Sequence, residues 1–265
     1  MPMLELHRDA QRLNEEPIHR IDSLIVAGWT GRDAAAVEHH VRELAAIGVA
    51  PPSSIPLYYR VAASLLTTAS VIDVVGADTS GEVEPLLVRC NGETWLGLAS
   101  DHTDRALEAH SVALSKQACA KPCASGLWPF SDVADRLDTL TLRSWIIEGE
   151  QDDADWTLYQ EGSLETIRPL ADLLAASPLD EASRGESTPG QSTPGQSTPG
   201  QSSRGSVDAA GGKRAMPAVS AMLCGTLPAI GAVRPAHAFR CELHDPASGQ
   251  TLQHEYAVRI LPLID

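Results

Sequence analysis

Residues 83–99 constrain this chain more than any other stretch. Two strand-like runs, 83–89 and 95–99, flank the pair Asn91-Gly92. An Asn-Gly pair between apolar runs is a strong hairpin signal, because both turn positions need positive φ. A hairpin also fixes pairing. With the turn centred between Asn91 and Gly92, opposed positions sum to 183, so Glu82 faces Asp101. Directly opposed residues share a face of the sheet. Glu84, two along from Glu82 on the same strand, shares that face as well.

Three carboxylates therefore converge at the open end of the hairpin. Uncompensated, they repel one another. A hard divalent cation, Mg²⁺ or Mn²⁺, would turn the cluster into an oxygen-ligand site. The alternative is a hairpin that frays there and leaves the acids in water. A single bulge would also break the register.

The 265 residues fit one to two domains, and one compact domain is the simpler reading. Apolar residues make up 43%, enough for a sizeable core, but aromatics are few, so aliphatic side chains must fill it. Twenty Lys+Arg stand against 35 Asp+Glu, a formal charge of −15. That excess excludes the basic footprint of sequence-independent nucleic-acid binding and disfavours anionic membranes. No apolar run reaches the roughly 18–20 residues needed to span a bilayer. Residues 1–20 read as a polar N-terminal extension without a signal-type apolar stretch. Five cysteines, odd in number and scattered, form no disulfide framework, and Cys119 and Cys123 lack a partner pair for zinc. A cytoplasmic, soluble protein is expected.

Residues 21–27 read as a strand. A helix follows, with Thr30 as N-cap and Asp33 three residues on, and Val37, Val41 and Leu44 at helical spacing. Strands are expected within 71–75, 140–147, 219–226, 239–243 and 256–261. Helices are expected at 106–114 and 164–176. The pentapeptide Ser-Thr-Pro-Gly-Gln occurs three times in residues 187–201. The surrounding 181–214 is too poor in apolar residues to offset its ordering entropy, and reads as a disordered insertion into the 21–265 domain.

His40 and Glu43 are three apart on the predicted helix and share a side. A carboxylate beside an imidazole suits a general base, although a plain surface pair has the same spacing. Arg105 lies four residues after Asp101, and Lys116 eleven further. Two such cations near a metal-binding carboxylate could hold a substrate carboxylate or an oxyanion.

Taken in order, these pieces resemble the catalytic domain of the fumarylacetoacetate hydrolase superfamily, and a bacterial branch of it without assigned function. The resemblance runs from about Leu24 to Leu261, interrupted by the repeats. It rests on His40-x-x-Glu43, on Glu82-x-Glu84 followed by Asp101, and on Asp101-x-Thr103-x-Arg105. Lys116 before Pro122 and Trp128, and the late Gly225-Thr226, complete it. The chain departs from the family in its tight hairpin between Glu84 and Asp101, in Glu108 where Gln is common, and in Cys224 before Gly225. The resemblance implies an α+β fold, a mixed β-sandwich roll with a few peripheral helices, usually a homodimer. It implies Mg²⁺ or Mn²⁺ on Glu82, Glu84 and Asp101. Catalytic roles would fall to His40, Glu43, Lys116 and Arg105, and substrate contacts to Gly225 and Thr226. The expected activity is cleavage of a carbon–carbon bond in a β-diketo acid such as an acylpyruvate. Decarboxylation, isomerisation or dehydration of a 2-oxo acid on the same metal remains open, as does a non-catalytic small-acid binder or a plain interaction module.

Overall fold

A computed structural model describes residues 4–8, 16–46, 51–149, 155–179 and 218–262, without the side chains of His40, Glu43, Leu44 and Ala46. The repeat segment expected to be an insertion lies outside the described residues. In chain order the strands are β1 (His7–Arg8), β2 (Ser23–Gly28), β3 (Leu57–Val61), β4 (Leu66–Thr67), β5 (Val71–Val74), β6 (Thr79–Ser80), β7 (Val83–Cys90) and β8 (Glu93–Ser100). They continue as β9 (Thr103–Asp104), β10 (Lys121–Pro122), β11 (Gly126–Pro129), β12 (Thr141–Ile147), β13 (Thr157–Ser163), β14 (Ser220–Leu223), β15 (Ala238–His244) and β16 (Thr251–Ile260). The helices are α1 (Ala34–Ala46), α2 (Arg105–Glu108), α3 (Val112–Ala118) and α4 (Leu170–Ala176).

The architecture is mostly β with few helices. A seven-stranded sheet runs β1-β11-β8-β7-β14-β2-β3, and a five-stranded sheet runs β13-β12-β15-β16-β5. Neither closes into a barrel. One apolar cluster lies between them, joining Ile25, Leu87, Leu96 and Met222 of the first sheet to Leu142, Phe239, Leu243 and Tyr256 of the second. A second cluster covers the other face of the seven-stranded sheet with Leu24, Val26, Leu86, Val88 and Leu223. Leu4, Leu6 and Ile18 belong to that second cluster, so part of residues 1–20 is built into the core. The unbroken apolar run in β2 is explained by burial on both faces. β12, by contrast, alternates buried and half-buried positions along its length, as a strand with one face toward water must.

The hairpin register is as the turn chemistry predicts. β7 and β8 pair Val83 with Ser100 through Cys90 with Glu93. Asn91 and Gly92 take φ of 55° and 82°, the pair of positive angles that a tight two-residue turn requires.

Three local expectations need correction. The cap of α1 is Asp33, whose Oδ1 accepts from the backbone N–H of Ala35 and Ala36 at 2.9 and 3.2 Å. Thr30 is instead buried against Gly225. The helix expected at 106–114 is two helices, because Ser111 turns extended and its Oγ caps a fresh start through Leu114 N at 3.3 Å. The helix expected at 164–176 is a 3-10 turn (Leu164–Thr166) and then α4, separated at Pro169. A residue preceding proline is pushed out of helical geometry.

Candidate metal centre

The carboxylates meet where the hairpin opens. Pairing continues one step past the strands, with Asp101 N donating to Glu82 O at 2.9 Å. Side chains of β7 alternate, so Val83 joins the core between the sheets while Glu84 points to the other side. One oxygen from each of Glu82, Glu84 and Asp101 lies within 4.8 Å of the others. Glu84 and Asp101 are buried and Glu82 is half-buried.

Three cations face them. α2 starts with Arg105, which donates Nε to Ser80 Oγ at 2.7 Å, Nη1 to Glu108 Oε2 at 2.7 Å and Nη2 to Glu82 Oε1 at 3.0 Å. α3 carries Lys116, whose Nζ donates to Asp101 Oδ2 and lies 3.9 Å from Glu82 Oε2. β10 carries Lys121, fully buried, whose Nζ donates to the His102 carbonyl at 2.7 Å and lies 3.0 Å from Asp101 Oδ1. The chain has only three lysines, and two of them stand on this one aspartate.

The electrostatics follow. Burial and then the neighbouring Asp101 charge push the Glu84 carboxyl well above the usual range. Burial would also raise Asp101, but the Lys116 and Lys121 ammonium groups outweigh it and hold the carboxyl at about 2. Lys116 and Arg105 are both held above their ordinary values, because their carboxylate neighbours outweigh the cost of burial.

The backbone supports the cluster from behind. Gly225 N donates to Glu84 Oε2 at 2.7 Å. Gly225 has φ of +100°, and a Cβ there would overlap Thr30 Oγ1, so no other residue fits. The Thr226 hydroxyl donates to Val83 O at 2.8 Å and accepts from Gln160 Nε2 at 2.9 Å. Gln160 Oε1 in turn accepts from Val83 N at 3.0 Å. Both residues therefore pin the start of β7.

Of the residues singled out in the sequence, Glu82, Glu84, Asp101, Arg105 and Lys116 come together, and Gly225 joins them through its N–H. Thr226 lies one hydrogen bond behind. His40 and Glu43 fall within α1, and their side chains lie outside the described residues. Lys121 and His102 are not singled out by spacing or motif. Lys121 left one clue: it is the only charged residue between Lys116 and Trp128. His102 is buried between Tyr256 Oη at 3.1 Å and Thr79 Oγ1 at 3.0 Å. Burial, helped by Lys121 and Arg105, lowers the imidazole to about 3, so it is neutral near pH 7.

The donor set fits a hard divalent ion. All three groups are carboxylates, and one oxygen of each is close enough to the others to share one ion.

A family described as "Protein of unknown function (DUF2848)" matches residues 27–193 and 196–256. No curated protein matches the sequence. Among solved structures, one described as "Crystal structures of Cg1458" is similar at 9% identity and TM-score 0.52, covering 93% of this chain and 79% of that one. A "2-keto-3-deoxy-D-arabinonate dehydratase apo form" is similar at 11% identity and TM-score 0.51, covering 96% of this chain and 82% of that one. At such identities the likeness concerns the fold. Among the described residues no helix is long and apolar enough to cross a membrane.

Proposed function

The chain belongs to the DUF2848 family, and from that premise we propose that it is a divalent-metal-dependent enzyme acting on a small 2-oxo acid, on the pattern of the fumarylacetoacetate hydrolase superfamily. The observation that carries this reading is the meeting of three carboxylates with three cations at one buried point of the sheet. Its fold likeness to a 2-keto-3-deoxy-D-arabinonate dehydratase supports it.

Glu82, Glu84 and Asp101 would hold Mg²⁺ or Mn²⁺, which when bound stabilises the enolate of a 2-oxo acid as a Lewis acid. The chain's own groups do the rest. Gly225 N–H orients Glu84, Lys121 fixes Asp101, and Arg105 fixes Glu82. Lys116 supplies a positive charge for a substrate carboxylate or a developing oxyanion. Gly225 and Thr226 act by positioning, since the hydrogen bonds above already occupy them.

Dehydration is the leading reaction, on the fold likeness to a 2-keto-3-deoxy-D-arabinonate dehydratase. Carbon–carbon hydrolysis is the second reading. It is favoured by the three-residue spacing of His40 and Glu43 on α1, where His40 would activate water. The test is turnover with and without Mg²⁺ or Mn²⁺ on 2-keto-3-deoxy sugar acids, acylpyruvates and oxaloacetate. Metal-dependent loss of one of these, abolished in Asp101→Asn, supports the reading. Failure on every substrate with metal bound leaves only a small-acid binder.

A further inference from the structure

The three cations around the carboxylates are not anchored alike. Arg105 is tied to Ser80 and Glu108 as well as to Glu82. Lys121 is tied to the His102 carbonyl, outside the carboxylate cluster. Among the described residues, the charged contacts of Lys116 are with the cluster alone: a hydrogen bond to Asp101 Oδ2 and the 3.9 Å approach to Glu82 Oε2. Lys116 also stands nearest to water. It is 6% exposed where Lys121 is 0% exposed, and its α3 neighbours Leu114 and Gln117 are exposed.

Cations already occupy this cluster: Lys116 and Lys121 stand on Asp101, and Arg105, shared with Glu108, stands on Glu82. An incoming divalent ion must therefore compete for oxygens that an ammonium holds. We propose that Lys116 is a built-in occupant of the cation position, and that divalent metal binds by displacing it. This rests on the metal reading above. Once displaced, the ammonium remains close to the cluster on a flexible stem, free to meet an anionic substrate. Arrival of the metal and availability of the lysine are then one event. An occupant that must leave reduces apparent affinity by the fraction of molecules in which it has left.

Two measurements on the full chain test this. The first is Mn²⁺ titration by calorimetry of wild type, Lys116→Met and Lys116→Arg. Met keeps the length and removes the charge, so it should bind Mn²⁺ on the order of tenfold tighter, the size of one charge-assisted hydrogen bond no longer broken. Lys116→Arg, which keeps a cation, should show no such gain. The second uses wild type only: acetylation of the three lysines followed by peptide mapping. Lys116 should be protected in chelator and labelled with Mn²⁺ present, while Lys121 stays protected in both. If wild type binds Mn²⁺ but Lys116→Met binds no tighter, or Lys116 labelling ignores the metal, the displacement is wrong and the metal site survives. If neither protein binds Mn²⁺, both readings fall together.

Discussion

Gly225 donates its backbone N–H to Glu84 across 2.7 Å, and this one bond ties a turn late in the chain to a carboxylate of the central hairpin. The turn can approach so closely only because position 225 has no Cβ. Gly225→Ala should therefore do double damage, from the strained φ and from the overlap with Thr30 Oγ1. A loss of about 1–3 kcal/mol is expected. Calorimetric unfolding should show a melting point several degrees lower, and Mn²⁺ titration a weaker affinity. Unchanged affinity would mean that the Gly225 bond does not position Glu84.

The hairpin turn offers a contrasting case. Gly92 has φ of +82° with open space around its missing Cβ. Gly92→Val should cost about 1–2 kcal/mol through the left-handed conformation alone. The turn lies at the far end of the hairpin from the carboxylates, so metal affinity should stay put while the melting temperature falls. A parallel fall in affinity would show that the register slips as a unit.

Asp245, in the turn between β15 and β16, gives a pH prediction. It accepts from Arg136 Nε and Nη2 at 3.1 and 2.9 Å, from Ser248 Oγ at 2.7 Å and from Ala247 N at 2.9 Å. The Arg136 hydrogen bonds chiefly hold its carboxyl well below the ordinary 3.8. A depressed folded value means that the unfolded chain binds the proton more readily. The stabilisation is therefore complete above about pH 4–5 and is lost as pH falls through the unfolded value toward the folded one. Asp245→Asn should melt below wild type at pH 7, and the gap should narrow by pH 3. A gap of constant size would remove the linkage.

What the sequence makes legible is local or follows from a single register. Asn91-Gly92 sets a pairing that the structure keeps from Cys90–Glu93 to the Asp101–Glu82 bond, so the three carboxylates could be brought together by counting. Arg105 and Lys116 follow because they lie close behind Asp101 in the chain. Lys121 was not legible, since its place on Asp101 depends on β10 pairing with the distant β4. The role of residues 4–8 was hidden for the same reason: β1 gains its meaning only beside β11, on a face that the polar surroundings of Leu4 and Leu6 do not announce. Gly225 and Thr226 stand out by resemblance, but that their hydrogen bonds turn inward to Glu84, Val83 and Gln160 depends on β14 lying beside β7.

The Glu82–Arg105–Glu108 chain carries a prediction of its own. Arg105 bonds both carboxylates and Ser80. Arg105→Lys keeps the charge but cannot reach three acceptors in a planar fork. It should lower metal affinity, because Glu82 is then freer to turn away, while leaving the melting temperature within a few degrees of wild type. Affinity equal to wild type would show that Glu82 needs no fixing.

The central claim is that Glu82, Glu84 and Asp101 form one divalent-cation site. The most direct measurement is Mn²⁺ titration of the wild-type chain beside Asp101→Asn and Glu84→Gln, read by calorimetry with circular dichroism to confirm folding. The account predicts one Mn²⁺ per chain in wild type, and binding weakened by at least about tenfold in each variant, as loss of a charged ligand requires. Wild-type protein that takes up neither Mn²⁺ nor Mg²⁺ at millimolar concentration, or folded variants that bind as well as wild type, would contradict it.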